Sequence, residues 1–151
     1  MKNILFIFFL LFGLSANASP LAYEIVNQGS QTGIRSKEFI VVKSKNELGQ
    51  FWERHSGETA PVIDFDKEML IGIFLGFKPD ASYGVSLKDI ELLSKKMVVR
   101  YAEIGGSKDG EVSAKGNFRL APQAVVYPFL ILKVKRSELP IEFKSIELPV
   151  Q

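Results

Sequence analysis

Apolar and polar positions along this chain follow two periods, one helical and one extended. Leu48, Phe51, Trp52 and His55 fall at i, i+3, i+4 and i+7, the single stripe of an amphipathic helix. Ser44-Lys45-Asn46-Glu47 precedes the stripe as a capping box. In such a box the serine hydroxyl accepts from the N–H three residues on, and Glu47 reaches back to the Ser44 N–H. Gly57 closes the segment, as glycines commonly do just past a helix. One helix over about residues 45–56 is therefore predicted.

Elsewhere the pattern is extended. Ala22–Asn27 reads as a strand, Gln28–Gly33 as a turn-rich loop, and Glu38–Lys43 as a strand covered on both sides. Met69–Phe77 is almost wholly apolar, which predicts a central strand buried on both faces. Tyr83–Leu93 alternates at Tyr83, Val85 and Leu87, then changes parity to Ile90 and Leu92. One inserted residue near Lys88-Asp89, a β-bulge, accounts for the change. Met97–Ile104 places Met97, Val99, Tyr101 and Glu103 on one face, and Gly105–Gly110 reads as a polar hairpin loop. Ala124–Val134 and Ile141–Leu148 complete the set. Pro128 inside the first of these points to an edge strand or a bulge, with Lys133, Lys135 and Arg136 guarding the edge. The fold class is α+β, mostly β: an antiparallel sheet, sandwich or open barrel of about six to eight strands with the helix over one face or end.

The first residues belong to neither pattern. Lys2 is followed by the apolar run Ile4–Leu14 and then by Ser15-Ala16-Asn17-Ala18, whose two alanines suit an Ala-x-Ala cleavage site. As a helix the run spans roughly 16 Å, about half the hydrocarbon core of a membrane. Residues 1–18 read as a cleavable signal peptide, and 19–151 as one globular β-rich domain with no membrane span. Removing 1–18 takes away Lys2 and no acidic residue, which leaves one net positive charge. Such a balance argues against binding nucleic acid or anionic membrane electrostatically. The chain has no cysteine, so it forms no disulfide, thiolate metal site or cysteine nucleophile. An exported chain without disulfides fits the periplasm, surface or surroundings of a bacterium.

Candidate chemistry is sparse. His55 is the sole histidine and continues an apolar stripe, which favours a structural role; no G-x-S-x-G setting accompanies it. One histidine without cysteine leaves only carboxylates to complete a zinc set, and neither a metal nor a cofactor is expected. Asp64 and Asp66 flank Phe65 and fit either turn-capping or paired acid–base work. Gly105–Gly110 lacks the spacing of a phosphate-binding loop. Pro79, Asp80 and Tyr83 form a Pro turn between two apolar strands, and Tyr127 and Phe129 flank Pro128. These five are the candidate binding residues, on the reasoning that an exposed strand edge with aromatic flanks suits strand-to-strand docking.

Ile63-Asp64-Phe65, the strand Met69–Phe77, Pro79 with Tyr83-Gly84-Val85, and Pro128-Phe129-Leu130-Ile131 together resemble the C-terminal domain of PrcB, an accessory subunit of a bacterial surface protease complex. The resemblance covers about residues 50–140. Where that family has Gly-Gly before its tyrosine, this chain has Ala81-Ser82. The resemblance implies a non-enzymatic accessory domain that stabilises or docks onto a partner protein, such as an exported protease or a cell-envelope protein. Two other readings stay open: a small metal- or carboxylate-dependent hydrolase using Asp64 and Asp66, and a small-ligand binder. N-terminal sequencing of the protein from the exported fraction is expected to begin at Ser19; an intact Met1 there would overturn the signal-peptide reading.

Overall fold

The computed structural model describes residues 18–105 and 124–147. Residues 1–17 of the expected signal segment and 106–110 of the polar loop lie outside the described residues. In chain order the elements are β1 (Ser19–Pro20), β2 (Tyr23–Gly29), β3 (Lys37–Val42), α1 (Lys45–His55), β4 (Glu68–Leu75), β5 (Gly84–Leu92), β6 (Met97–Ile104), β7 (Phe129–Lys135) and β8 (Ile141–Ile146). They form two four-stranded sheets, ordered β1-β5-β6-β8 and β2-β7-β4-β3. The sheets pack face to face, α1 covers the outer face of the second, and neither sheet closes into a barrel.

The apolar runs of β4 and β7 follow from this layering. Met69, Ile71, Ile73 and Leu75 of β4 point between the sheets, as do Leu130, Leu132 and Val134 of β7. Leu70 and Phe74, with Phe129 and Ile131, point the other way, toward Leu48, Phe51 and Trp52 of α1. Both strands therefore carry apolar residues at every parity, as strands covered on two sides must. Gly72 lies on the helix-facing side, where a Cβ would come within 2.6 Å of Cε2 of the fully buried Phe74.

Strand β5 carries its bulge between Leu87 and Asp89, at the predicted position. Val85, Leu87, Ile90 and Leu92 consequently all reach the inter-sheet core. On the other face Arg100 of β6 bridges Asp89 and Glu91, both at 2.6 Å. The helix begins at Lys45, with the Ser44 hydroxyl accepting from the Glu47 N–H at 3.3 Å. Glu47 accepts from the Lys43 N–H at 2.7 Å and not from the Ser44 N–H, one residue further back than the capping box predicts. Gly57 follows the C-cap with φ 68°.

Three expectations are corrected. The β6–β8 pair is parallel, because the chain leaves β7 in one sheet and crosses through residues 136–140 to the edge of the other. Strand β7 is no edge: it pairs with β2 on one side and β4 on the other. Pro128 is tolerated because it precedes the first strand residue, and its carbonyl accepts from the Leu75 N–H at 3.0 Å. The cations at this end of β7 guard no edge, and Lys133 and Arg136 are tied down. Lys133 lies 2.8 Å from Glu24, and Arg136 donates through Nη1 to the carbonyls of Lys43 and Phe65, both at 2.8 Å.

Among the described residues no helix is long and apolar enough to cross a membrane. Gly72→Ala is expected to destabilise the domain by about 1–3 kcal/mol through overpacking against Phe74, measured by urea unfolding. An unchanged midpoint would show that the ring has room to move.

Candidate protein-docking site

One end of the sandwich gathers the loop after β2, the segment after β4 and the residues just before β7. After β4, Gly76 turns the chain with φ 71° and leaves Phe77 beyond the strand, 60 % exposed. Lys78 and Val126 exchange backbone hydrogen bonds at 2.9 and 3.0 Å, which joins the segment after β4 to the one before β7. The Tyr127 N–H donates to the Ser30 carbonyl at 2.8 Å, and the Gln31 amide donates to the Val125 carbonyl at 3.1 Å. The β2–β3 loop is thereby stitched to the same surface.

Side chains follow the backbone. The Phe77 and Tyr127 rings meet edge to face at 6.3 Å, and the Arg35 guanidinium sits 5.3 Å from the Tyr127 centroid. Lys78 lies 5.4 Å from the Tyr83 ring and donates to Glu103 at 2.8 Å, while Lys37 donates to the other oxygen of Glu103 at 2.7 Å. Partial burial pushes the Glu103 carboxyl up, but the hydrogen bonds from the two lysines outweigh it and hold the group below the usual range. Arg35 has no carboxylate partner among the described residues. Val125 and Ile104, each 43 % exposed, add apolar surface to the same end.

The turn itself is held by Asp80. Its carboxylate accepts from the Ser82 hydroxyl and from the Ser82 N–H at 2.8 Å, and the hydroxyl bond above all lowers its pKa. Neither Ala81 nor Ser82 has a positive φ, so the turn closes without the freedom of two glycines. Gly105 supplies room on the other side, since a Cβ there would lie 2.3 Å from the Ser82 carbonyl oxygen.

Of the five candidate binding residues, four come together here: Pro79, Asp80 and Tyr83 in the turn, and Tyr127 across the Lys78–Val126 bridge. Phe129 is instead a core residue, 4 % exposed, with its ring against His55 at 4.6 Å and Phe74 at 6.0 Å. The parity of β7 sends it inward toward the helix. Nothing local in the sequence marks Arg35, Phe77, Lys78 and Glu103 as site residues, because two loops and strand β6, far apart in the chain, bring them together. Gly76 before Phe77 was the one local sign that the strand ends early.

His55 and Asp64 have structural settings. The His55 ring is buried, with Phe51, Trp52, Phe74 and Phe129 around it. Its Nε2 lies 3.2 Å from the Asn27 amide nitrogen and its Nδ1 lies 2.9 Å from the Thr32 hydroxyl. The tautomer that satisfies both carries its proton on Nδ1, which donates to Thr32 while Nε2 accepts from Asn27. The Thr32 hydroxyl in turn donates to the His55 carbonyl and accepts from the Ile34 N–H. Asp64 accepts from the Asp66 N–H at 3.2 Å and lies 3.4 Å from Lys67, the turn-capping arrangement. Among the described residues no group of three or more His, Cys, Asp or Glu is placed to hold a metal ion.

No family model, curated protein or solved structure matches the chain.

Burial lowers the His55 pKa, so the folded protein prefers the neutral ring. Its stabilising contribution is complete above the unfolded value near 6.5 and is lost as pH falls toward the folded one. The unfolding midpoint is expected to drop between about pH 7 and pH 5, and His55→Gln to flatten that drop. An identical pH profile in the variant would refute the linkage.

Proposed function

We propose that this chain is an exported, non-enzymatic accessory domain that docks onto a partner protein through the loop end of its sandwich. The observation that carries the reading is Phe77, 60 % exposed yet held in place against Tyr127 beneath Arg35. Aromatic and arginine side chains are the commonest anchors of protein interfaces. An anchor fixed before binding loses little conformational freedom when a partner covers it. The backbone bridge at Lys78 and Val126 and the Asp80 turn provide that fixing.

Around the aromatic centre lie Arg35, Lys37 and Lys78, with Glu103 shared by the two lysines. This is the polar rim around an apolar centre that protein interfaces carry. The resemblance to the PrcB C-terminal domain points the same way, toward an accessory role beside an exported protease or cell-envelope protein. The hydrolase reading loses its support because His55 packs in the core and Asp64 holds a turn.

Immobilised protein is expected to capture a defined partner from the cell envelope or culture supernatant. The double variant Phe77→Ser/Arg35→Glu should reduce the recovery by about tenfold or more, an interface loss of at least one anchor. Lys88→Glu, on the exposed bulge of β5, should leave it unchanged. Equal capture by the double variant, or no specific partner at all, would overturn the reading.

A further inference from the structure

Helix α1 presents an outer face that its own chain leaves uncovered. Lys45, Gly49 and Glu53 follow one another at four-residue steps along it, and all three are exposed. Neither charge has a partner among the described residues. Glycine is the least favourable residue in a helix interior after proline, and a Cβ at Gly49 would meet nothing within 4 Å. The fold of the single chain therefore gives no packing reason for the missing side chain. Beside Gly49 runs a groove of about 400 Å³, lined by Lys45 and Leu48 on the helix and by residues 60–63 with Phe65 opposite. From that opposite wall Val62 stands out, 99 % exposed.

A flexible small molecule lying in the groove would leave the projecting Val62 in water. Covering it takes a partner surface with a hollow of its own, and this face carries both the projection and the hollow. It also carries a cation, Lys45, and an anion, Glu53, neither with a partner among the described residues, four positions to either side of Gly49. A surface complementary to itself in shape and charge pairs with a second copy around a two-fold axis.

We propose that α1 pairs antiparallel with α1 of a second copy of this chain, crossing at Gly49, with Lys45 of each copy facing Glu53 of the other. Rows of residues four apart form the ridges by which helices pack, and the glycine notch in this ridge lets the two backbones approach closely. A parallel pair would set Lys45 against Lys45 and Glu53 against Glu53, so the charge order selects the antiparallel arrangement. Val62 of each copy then fills the groove of the other. This surface is distinct from the loop end of the sandwich, which stays free for a partner protein.

Sedimentation velocity of the purified protein across about 5–500 μM tests the pairing, a range that brackets micromolar association. A concentration-dependent dimer is expected. Gly49→Leu should shift it to monomer, and Lys45→Glu should weaken it by about tenfold or more, one reciprocal pair being removed twice. Lys45→Glu combined with Glu53→Lys should restore the dimer, a recovery that damage to the fold would not give. A monomer throughout the range overturns the proposal, as does a dimer indifferent to Gly49→Leu or to the charge reversal. Since the chain has no cysteine, Gly49→Cys places a single thiol on the axis, and its failure to cross-link two copies on oxidation counts equally against the pairing.

Discussion

Strands β4 and β7 bury both of their faces, and the rest of the molecule is arranged to meet that requirement. Met69, Ile71, Ile73, Leu130 and Leu132 need a cover on one side, which β5 and β6 supply through Val85, Ile90, Met97, Val99 and Tyr101. Leu70, Phe74, Phe129 and Ile131 need a cover on the other, which α1 supplies. A two-layer sandwich would leave the second set in water, at about 1.5–3 kcal/mol for each large side chain. The third layer is thus a consequence of the unbroken apolar pattern.

Packing a short helix on a sheet creates its own demands at the helix ends. At the C-terminal end the β2–β3 loop answers them: the Gly33 N–H and the Thr32 hydroxyl both donate to the His55 carbonyl, at 2.8 and 3.2 Å. The imidazole of the same residue is then held by Thr32 of that loop and Asn27 of β2, so strand and loop together satisfy a helix terminus and a buried polar ring. At the N-terminal end Arg136 links the Lys43 carbonyl to that of Phe65, drawing β3, the helix start and the turn before β4 into one corner. The sole histidine and Arg136 after β7 are accounted for by these structural tasks.

The loop end of the sandwich is different in kind. Phe77 and Val125 remain exposed although the backbone around them is well bonded. Glu103 joins the two sheets there by holding Lys37 of β3 and Lys78 beyond β4, so the platform beneath the aromatic pair is shared by both layers. Order beneath and apolar exposure above is the combination that suits a docking surface. The outer face of α1 shares the exposure and adds Lys45 and Glu53 on either side of Gly49.

Local pattern determined much of this protein. The helix with its cap, the two-faced burial of β4, the bulge in β5 and the limits of β6 were all legible, because each depends on neighbours within a few residues. The placement of His55 was legible too, since it continues an apolar stripe. What tertiary structure alone decided was partnership. Residue spacing specifies which way a side chain faces but carries no record of which strand lies alongside, so the central position of β7 and the parallel β6–β8 pair were not readable. The same limit applied to the candidate site: Pro79, Asp80, Tyr83 and Tyr127 were visible as turn and aromatic residues. Only folding sent Phe129 into the core and brought Arg35 over Tyr127 from a loop more than ninety positions away.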